Sequence, residues 1–224
     1  MNGKKLDPFY SNLASIGCAW TVEFPKIPAD PEKTVLDTLQ FFWSKPKIFN
    51  MLVGVLYYRI HDIIHVDRLI SLAQDIPSEE KIILKAISQK ITRVGDKRYR
   101  TVINKLSTGR AKVEGIPKDH SDPYLVEKYG LDEDFLKFKV KVLAQPLPAE
   151  KKYFNRESIL VRNPWLRLRA LIGPNYRADI TYLRAAKIAN TPVEAYSVAG
   201  CTRAVAYTHW RVLSQLKDIE KLVA

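Results

Sequence analysis

The chain has two cysteines, Cys18 and Cys201, in 224 residues. They are too few for a disulfide framework and too far apart for a Cys-x-x-Cys redox or zinc pair, so both thiols are expected to stay reduced. Glycine is scarce, with nine residues. No glycine-rich phosphate loop and no strand–helix alternation occurs, which argues against a nucleotide-binding α/β fold. No apolar run approaches the ~20 residues required to span a bilayer. The start Met1-Asn2-Gly3-Lys4-Lys5-Leu6-Asp7-Pro8 lacks the apolar centre of a signal peptide. A cytoplasmic protein without a membrane partner is therefore expected. Nucleophile elbows and paired carboxylates are missing too, so neither an enzyme nor a cofactor is expected.

One arrangement has a catalytic flavour. In His61-Asp62-Ile63-Ile64-His65, two histidines four apart on a helix could share a metal, as in H-E-x-x-H zinc proteases. Asp62 replaces the glutamate with a shorter arm, and His120 and His209 offer no evident third ligand. A hydrogen-bonded histidine pair is the favoured reading, with no metal site.

What the chain does have is enough apolar material, 46% of its residues, for one or two cores. Its patterning is mainly helical. Pro31 to Trp43, Lys47 to His65, Asp67 to Gln74, a segment opened by Ser78-Glu79-Glu80 and Asp96 to Leu106 read as successive helices. Lys47 to His65 is the expected central core helix. Residues 107 to 123 read as a loop or hinge. Asp132 to Ala144 is open between helix and strand, with helix preferred after Asp132-Glu133-Asp134. Gln145-Pro146-Leu147-Pro148-Ala149 reads as a stiff connector. The expected division is a helical domain over 1–145, for dimerisation, sensing or partner binding, and a second domain over 146–224.

That second domain holds the most informative stretch. Thr191 and Glu194 form a T-x-x-E capping box, and Pro192 sits at the first helical position, which together fix where one helix begins. Gly200 ends it, and Thr202 caps a second helix. On that second helix Ala206, Trp210 and Leu213 share one arc. Arg203, Tyr207 and Arg211, flanked by Ala204 and Thr208, share the other. Trp210 is expected to be a buried anchor. Leu213, Leu216, Ile219 and Leu222 continue the helical spacing, so the helix is expected to run on through the tail, which would pack back or pair with a second subunit.

In the frame Gly200, Thr202, Arg203, Ala206, Trp210, Leu213, the chain resembles the helix-turn-helix of bacterial winged-helix transcriptional regulators. The upstream run from Leu166 through Gly173-Pro174 to Ile180 is similar to the approach to such a domain. The resemblance covers about residues 160 to 216. It implies a DNA-binding domain whose second helix reads bases, here with the wing absent or truncated.

Charge agrees with that implication. Residues 146–224 carry 13 Lys and Arg against 6 Asp and Glu, a net of +7 out of +12 for the whole chain. A basic surface attracts phosphate whatever the sequence, and the helix then decides which bases are read. The expected DNA-binding residues are Thr202, Arg203, Ala204, Tyr207, Thr208 and Arg211, with Arg169 and Lys187 as further cations toward phosphate. The basic segment Lys90 to Arg100 offers a second phosphate contact or a solvated helix face. The expected function is sequence-specific binding of double-stranded DNA as a homodimeric transcriptional regulator. The alternatives are a plain helical hairpin in place of the DNA-reading motif, an antitoxin-like or adaptor interaction protein whose N-terminal helical domain binds a protein partner, and an enzyme using the His61/His65 pair.

Overall fold

A computed structural model describes residues 8–20, 24–25, 27–113, 123–144, 147, 149–216 and 218–223. Among them the chain is mainly α, with two isolated antiparallel bridges, Cys18 to Tyr153 and Leu131 to Leu143, and no strand. No wing hairpin occurs among the described residues. Nor is any described helix long and apolar enough to cross a membrane.

The larger core is built from α1 (Pro8–Ser15), α2 (Pro31–Leu39), α3 (Pro46–Val55), α4 (Val66–Leu72), α5 (Ser78–Arg93) and α6 (Arg100–Lys105). Local chemistry sets several of their ends. Asp30 caps α2 by accepting from the Lys33 N–H at 3.1 Å, with Pro31 at the first helical position. In α5, Glu79 and Glu80 lie in the first turn and Lys90 and Arg93 in the last, each complementing the helix dipole. Its Ile82, Ile83, Ala86, Ile87 and Ile91 are buried, as their spacing predicts.

The long helix expected from Lys47 to His65 is not continuous. After Val55 the backbone widens into a π-turn at Leu56–Ile60 and tightens into a 3-10 turn at His61–Ile63 before α4 begins. Side chains from elsewhere take the carbonyls this break releases. Arg156 donates to the Arg59 carbonyl at 3.0 Å, and Arg98 and Tyr99 donate to that of His61 at 3.0 and 3.2 Å. Tertiary hydrogen bonds thus outweigh a periodicity that favours unbroken helix.

After α7 (Pro123–Tyr129) the segment from Asp132 also departs from the preferred helix. Asp132 caps a single turn, α8 (Glu133–Leu136), and the chain reverses at Lys139 with φ 61°. Val140, Val142 and Leu143 are buried in extended chain, where Val142 accepts from the Asp132 N–H at 2.9 Å. Of the expected connector, Gln145, Pro146 and Pro148 lie outside the described residues. His120 and most of the 107–123 loop do as well.

Residues 150–163 return to the larger core. The Ala19 N–H bonds the Lys152 carbonyl at 3.0 Å, and Asn163 Nδ2 donates to the Ser15 carbonyl at 3.3 Å. Gly54 lets Tyr153 lie against α3, since a Cβ there would come 1.7 Å from the tyrosine oxygen. After α9 (Arg156–Arg162) comes α10 (Pro164–Ile172), where the two cores meet: Leu166 packs into the larger and Trp165 into the smaller. The smaller core gathers α11 (Tyr176–Ala185), α12 (Pro192–Ala199) and α13 (Arg203–Leu213).

The tail does not continue α13. The helix ends at Leu213, where Arg184 and the Ser214 hydroxyl both bond the Trp210 carbonyl. Asp218 then takes φ 55°, and the 3-10 turn Ile219–Leu222 folds back so that Ile219 is buried in the smaller core. Two side chains on the Trp210 carbonyl, and turn bonds from the Gln215 and Leu216 N–H groups to the Val212 and Leu213 carbonyls, close the helix that the leucine spacing would have extended.

Candidate nucleic-acid interface

The helix pair at 191–213 forms with the caps its sequence dictates. Thr191 Oγ1 accepts from the Glu194 N–H at 3.2 Å, while the Glu194 carboxylate reaches back to the Asn190 N–H at 2.7 Å. The return bond falls one residue earlier than a standard capping box places it. Gly200 takes φ 68° and closes α12 with its N–H on the Tyr196 carbonyl at 3.0 Å. Thr202 Oγ1 accepts from the Val205 N–H at 3.4 Å to start α13.

On α13, Ala206 and Leu213 are buried. Arg203, Ala204, Tyr207, Thr208 and Arg211 are exposed, as is Thr202 at the cap. Arg203, Tyr207 and Arg211 therefore project from one free face, and neither arginine has an ion pair or side-chain hydrogen bond among the described residues. Between this face and the start of α12, Pro192, Tyr207, Thr208, Trp210 and Arg211 line a groove of about 440 Å³. His209 lies beside the exposed Arg177 on α11; burial and that guanidinium both lower its pKa.

Two expectations for this region are corrected. Trp210 is half-buried, packed against the rim of the smaller core with the Arg184 guanidinium 4.8 Å from its ring centroid. Arg169 faces no phosphate, being 1% exposed in the interior. Lys187 is exposed.

Sequence reasoning missed what surrounds Arg169. Its guanidinium holds both oxygens of Glu32, at 2.5 and 2.7 Å, and its Nε donates to Asp179 Oδ1 at 2.7 Å. Asp179 also accepts from Trp165 Nε1 at 2.7 Å and from His65 Nδ1 at 2.6 Å. Arg68 pairs with Glu32 at 2.6 Å and with Asp30. Burial alone would raise the pKa values of Glu32 and Asp179. The guanidiniums, with the His65 bond on Asp179, hold both carboxyls below the ordinary range.

The network reaches the turn of the helix pair. Arg68 donates to the Ala199 carbonyl at 3.0 Å and to that of Val198 at 2.9 Å. Ser71 and Tyr176 donate to the Gly200 carbonyl at 3.1 and 3.3 Å. A cation and two hydroxyls thus satisfy the C-terminal carbonyls of α12, and α4 fixes where α13 departs. No sequence pattern marks these partners, because they come from α2, α4, α10 and α11. The one local hint was Trp165 and Arg169 four apart on a helix.

His61 Nδ1 lies 3.2 Å from Asp96 and His65 is bound to Asp179, so the two rings face different partners. No group of three His, Cys, Asp or Glu that could hold a metal occurs among the described residues. In the basic segment, Lys90 pairs with Asp132, Arg93 with Glu133 and Asp134, and Arg98 with Asp96, which leaves Lys97 and Arg100 exposed. Cys201 is half-buried beside the turn. Compared with protein-family models, with curated proteins and with solved structures, the chain finds no match.

Proposed function

We propose that this protein binds double-stranded DNA through α13 and acts as a transcriptional regulator, with Thr202, Arg203, Ala204, Tyr207, Thr208 and Arg211 at the DNA. One observation carries the reading: two unpaired arginines and a tyrosine project at four-residue steps from the second helix of a capped pair whose turn is anchored to the rest of the molecule. An arginine there can bond guanine bidentately, worth roughly 1–3 kcal/mol of discrimination. The anchored turn supports the reading because a reader helix must hold its angle to the groove. A homodimer would present two such helices to half-sites one helical turn apart.

Selection from a random duplex library, followed by affinity measurements from about 50 to about 200 mM salt, tests this. We expect affinity to fall more than about tenfold over that range, as counterions compete for the phosphates. Arg203→Ala should narrow the gap between selected and random duplex, whereas Lys187→Ala should weaken both alike. If Arg203→Ala, Tyr207→Ala and Arg211→Ala all leave binding and preference intact, α13 is not the reader, and the protein-partner reading takes its place.

A further inference from the structure

A second cationic concavity lies on the larger core, and nothing in the DNA reading uses it. Ile82 and Lys85 of α5, the loop Thr108–Lys112 and the turn Lys137–Lys139 line a cleft of about 310 Å³. Five of its lining residues, Lys85, Arg110, Lys112, Lys137 and Lys139, are cations, and no carboxylate lines it among the described residues. Lys137 comes within 3.9 Å of Asp134, while the other four have no ion pair among the described residues. Elsewhere the same elements neutralise their charges, as Lys90 with Asp132 and Arg93 with Asp134 show.

The backbone itself gathers these cations. Gly109 takes φ 56° and Lys139 φ 61°, the latter a left-handed conformation that lysine adopts only at a cost. Like charges drawn together from three segments repel one another even where Arg110, Lys112, Lys137 and Lys139 face solvent, and a polyanion relieves that repulsion. The floor is apolar, formed by buried Ile82 and half-buried Phe138. Burial lowers the pKa of Lys85, as for an ammonium partly withdrawn from water.

We propose that this cleft binds a compact phosphate ester carrying several negative charges, of the nucleoside polyphosphate class. The phosphates lie among the lysines and the fork of Arg110, and the ring lies against Phe138 and Ile82. Size favours a small ligand over a nucleic-acid backbone, since the volume falls at the lower end of the roughly 300–1,000 Å³ of small-molecule sites. Charge favours a polyphosphate, because a single monovalent anion leaves most of the five cations uncompensated.

Calorimetric titration of the whole chain with ATP and with inorganic tripolyphosphate, at about 150 mM salt without divalent cations, tests the proposal. Saturable binding of one ATP per chain is expected. Lys85→Gln with Arg110→Gln should weaken it at least about tenfold through lost charge-assisted bonds, and Arg203→Ala with Arg211→Ala should leave it unchanged. If the first pair impairs folding, Arg110→Gln with Lys112→Gln, in the exposed loop, gives the same readout. Absence of saturable binding by either probe, or equal loss in the α13 variant, overturns the proposal. So does a cleft variant that weakens duplex binding while neither probe binds, an outcome that makes the cleft a DNA-backbone contact.

Discussion

Branched aliphatic side chains fill the larger core, among them Leu52, Val55, Ile64, Ile83, Ile87 and Ile91, whereas in the smaller one five alanines, Ala185, Ala189, Ala195, Ala199 and Ala206, share the space around Trp165 and Tyr182 with Leu168, Ile180, Leu183, Leu213 and Ile219. Each alanine removes far less apolar surface from water than a leucine does, so α11–α13 gain less per residue from burial. What the smaller core lacks in burial it receives from the junction, where Trp165 stacks on Tyr182 at 4.6 Å and Arg68 and Arg169 lie within 5.0 and 5.4 Å of the Trp165 ring. The candidate reader is thus held by its neighbour as much as by its own interior.

Removing the cation that both cores share should have the largest effect. Arg169→Ala leaves Glu32 and Asp179 buried without their main partner and should cost about 3–5 kcal/mol. Chemical denaturation followed by circular dichroism and by tryptophan fluorescence should show both signals shifting together. A loss under about 1 kcal/mol, well below the cost of breaking a buried pair, would mean that the smaller core stands alone.

Acid should act on the same junction. In the unfolded chain Asp179 and Glu32 protonate near their ordinary values, 3.8 and 4.5, and in the folded chain they stay ionised to lower pH. Their contribution is therefore full above about pH 5 and is lost as pH falls through the lower folded-state values. Denaturant midpoints at about pH 7, 5 and 3.5 should fall steeply only over the last interval. The Arg169→Ala chain should show a shallower fall, and identical profiles for the two chains would place the acid-sensitive groups elsewhere.

The smallest effect concerns the turn. Gly200 has φ 68°, and a Cβ there would find its nearest neighbour, Ser71 Oγ, at 3.6 Å. Space is not limiting, so Gly200→Ala should cost only the left-handed backbone strain, about 1 kcal/mol. Thermal melting of the variant checks this. A loss above about 3 kcal/mol, beyond that strain, would show that the turn against α4 is packed more tightly than its geometry indicates.

Much of the helix pair was legible locally. Pro192, Thr191, Glu194, Gly200 and Thr202 each act within four residues, and the apolar arc of Ala206 and Leu213 set the phase that exposes Arg203, Tyr207 and Arg211. The helical phase predicts a buried Trp210 and the residue is half-buried, since phase gives a direction and not a depth. Arg169 has the look of a surface cation because sequence carries no sign of a partner 137 positions away, Glu32. The break at Leu56–Ile60 was hidden for a similar reason: the segment is apolar on the helical period, and the bonds that compensate its freed carbonyls come from distant residues.

By itself, then, the sequence determined the mainly helical class, the caps and turns of α12 and α13, and which side of α13 stays polar. Propensity, capping and periodicity act over a few residues and need no partner. Only the tertiary structure decided which cations are free and which are buried, where α13 stops, and that four unpaired cations with Lys137 converge on one cleft. Those outcomes depend on which elements come together. Burying a charge is tolerable only where another element brings a carboxylate, and a cation stays available only where none does.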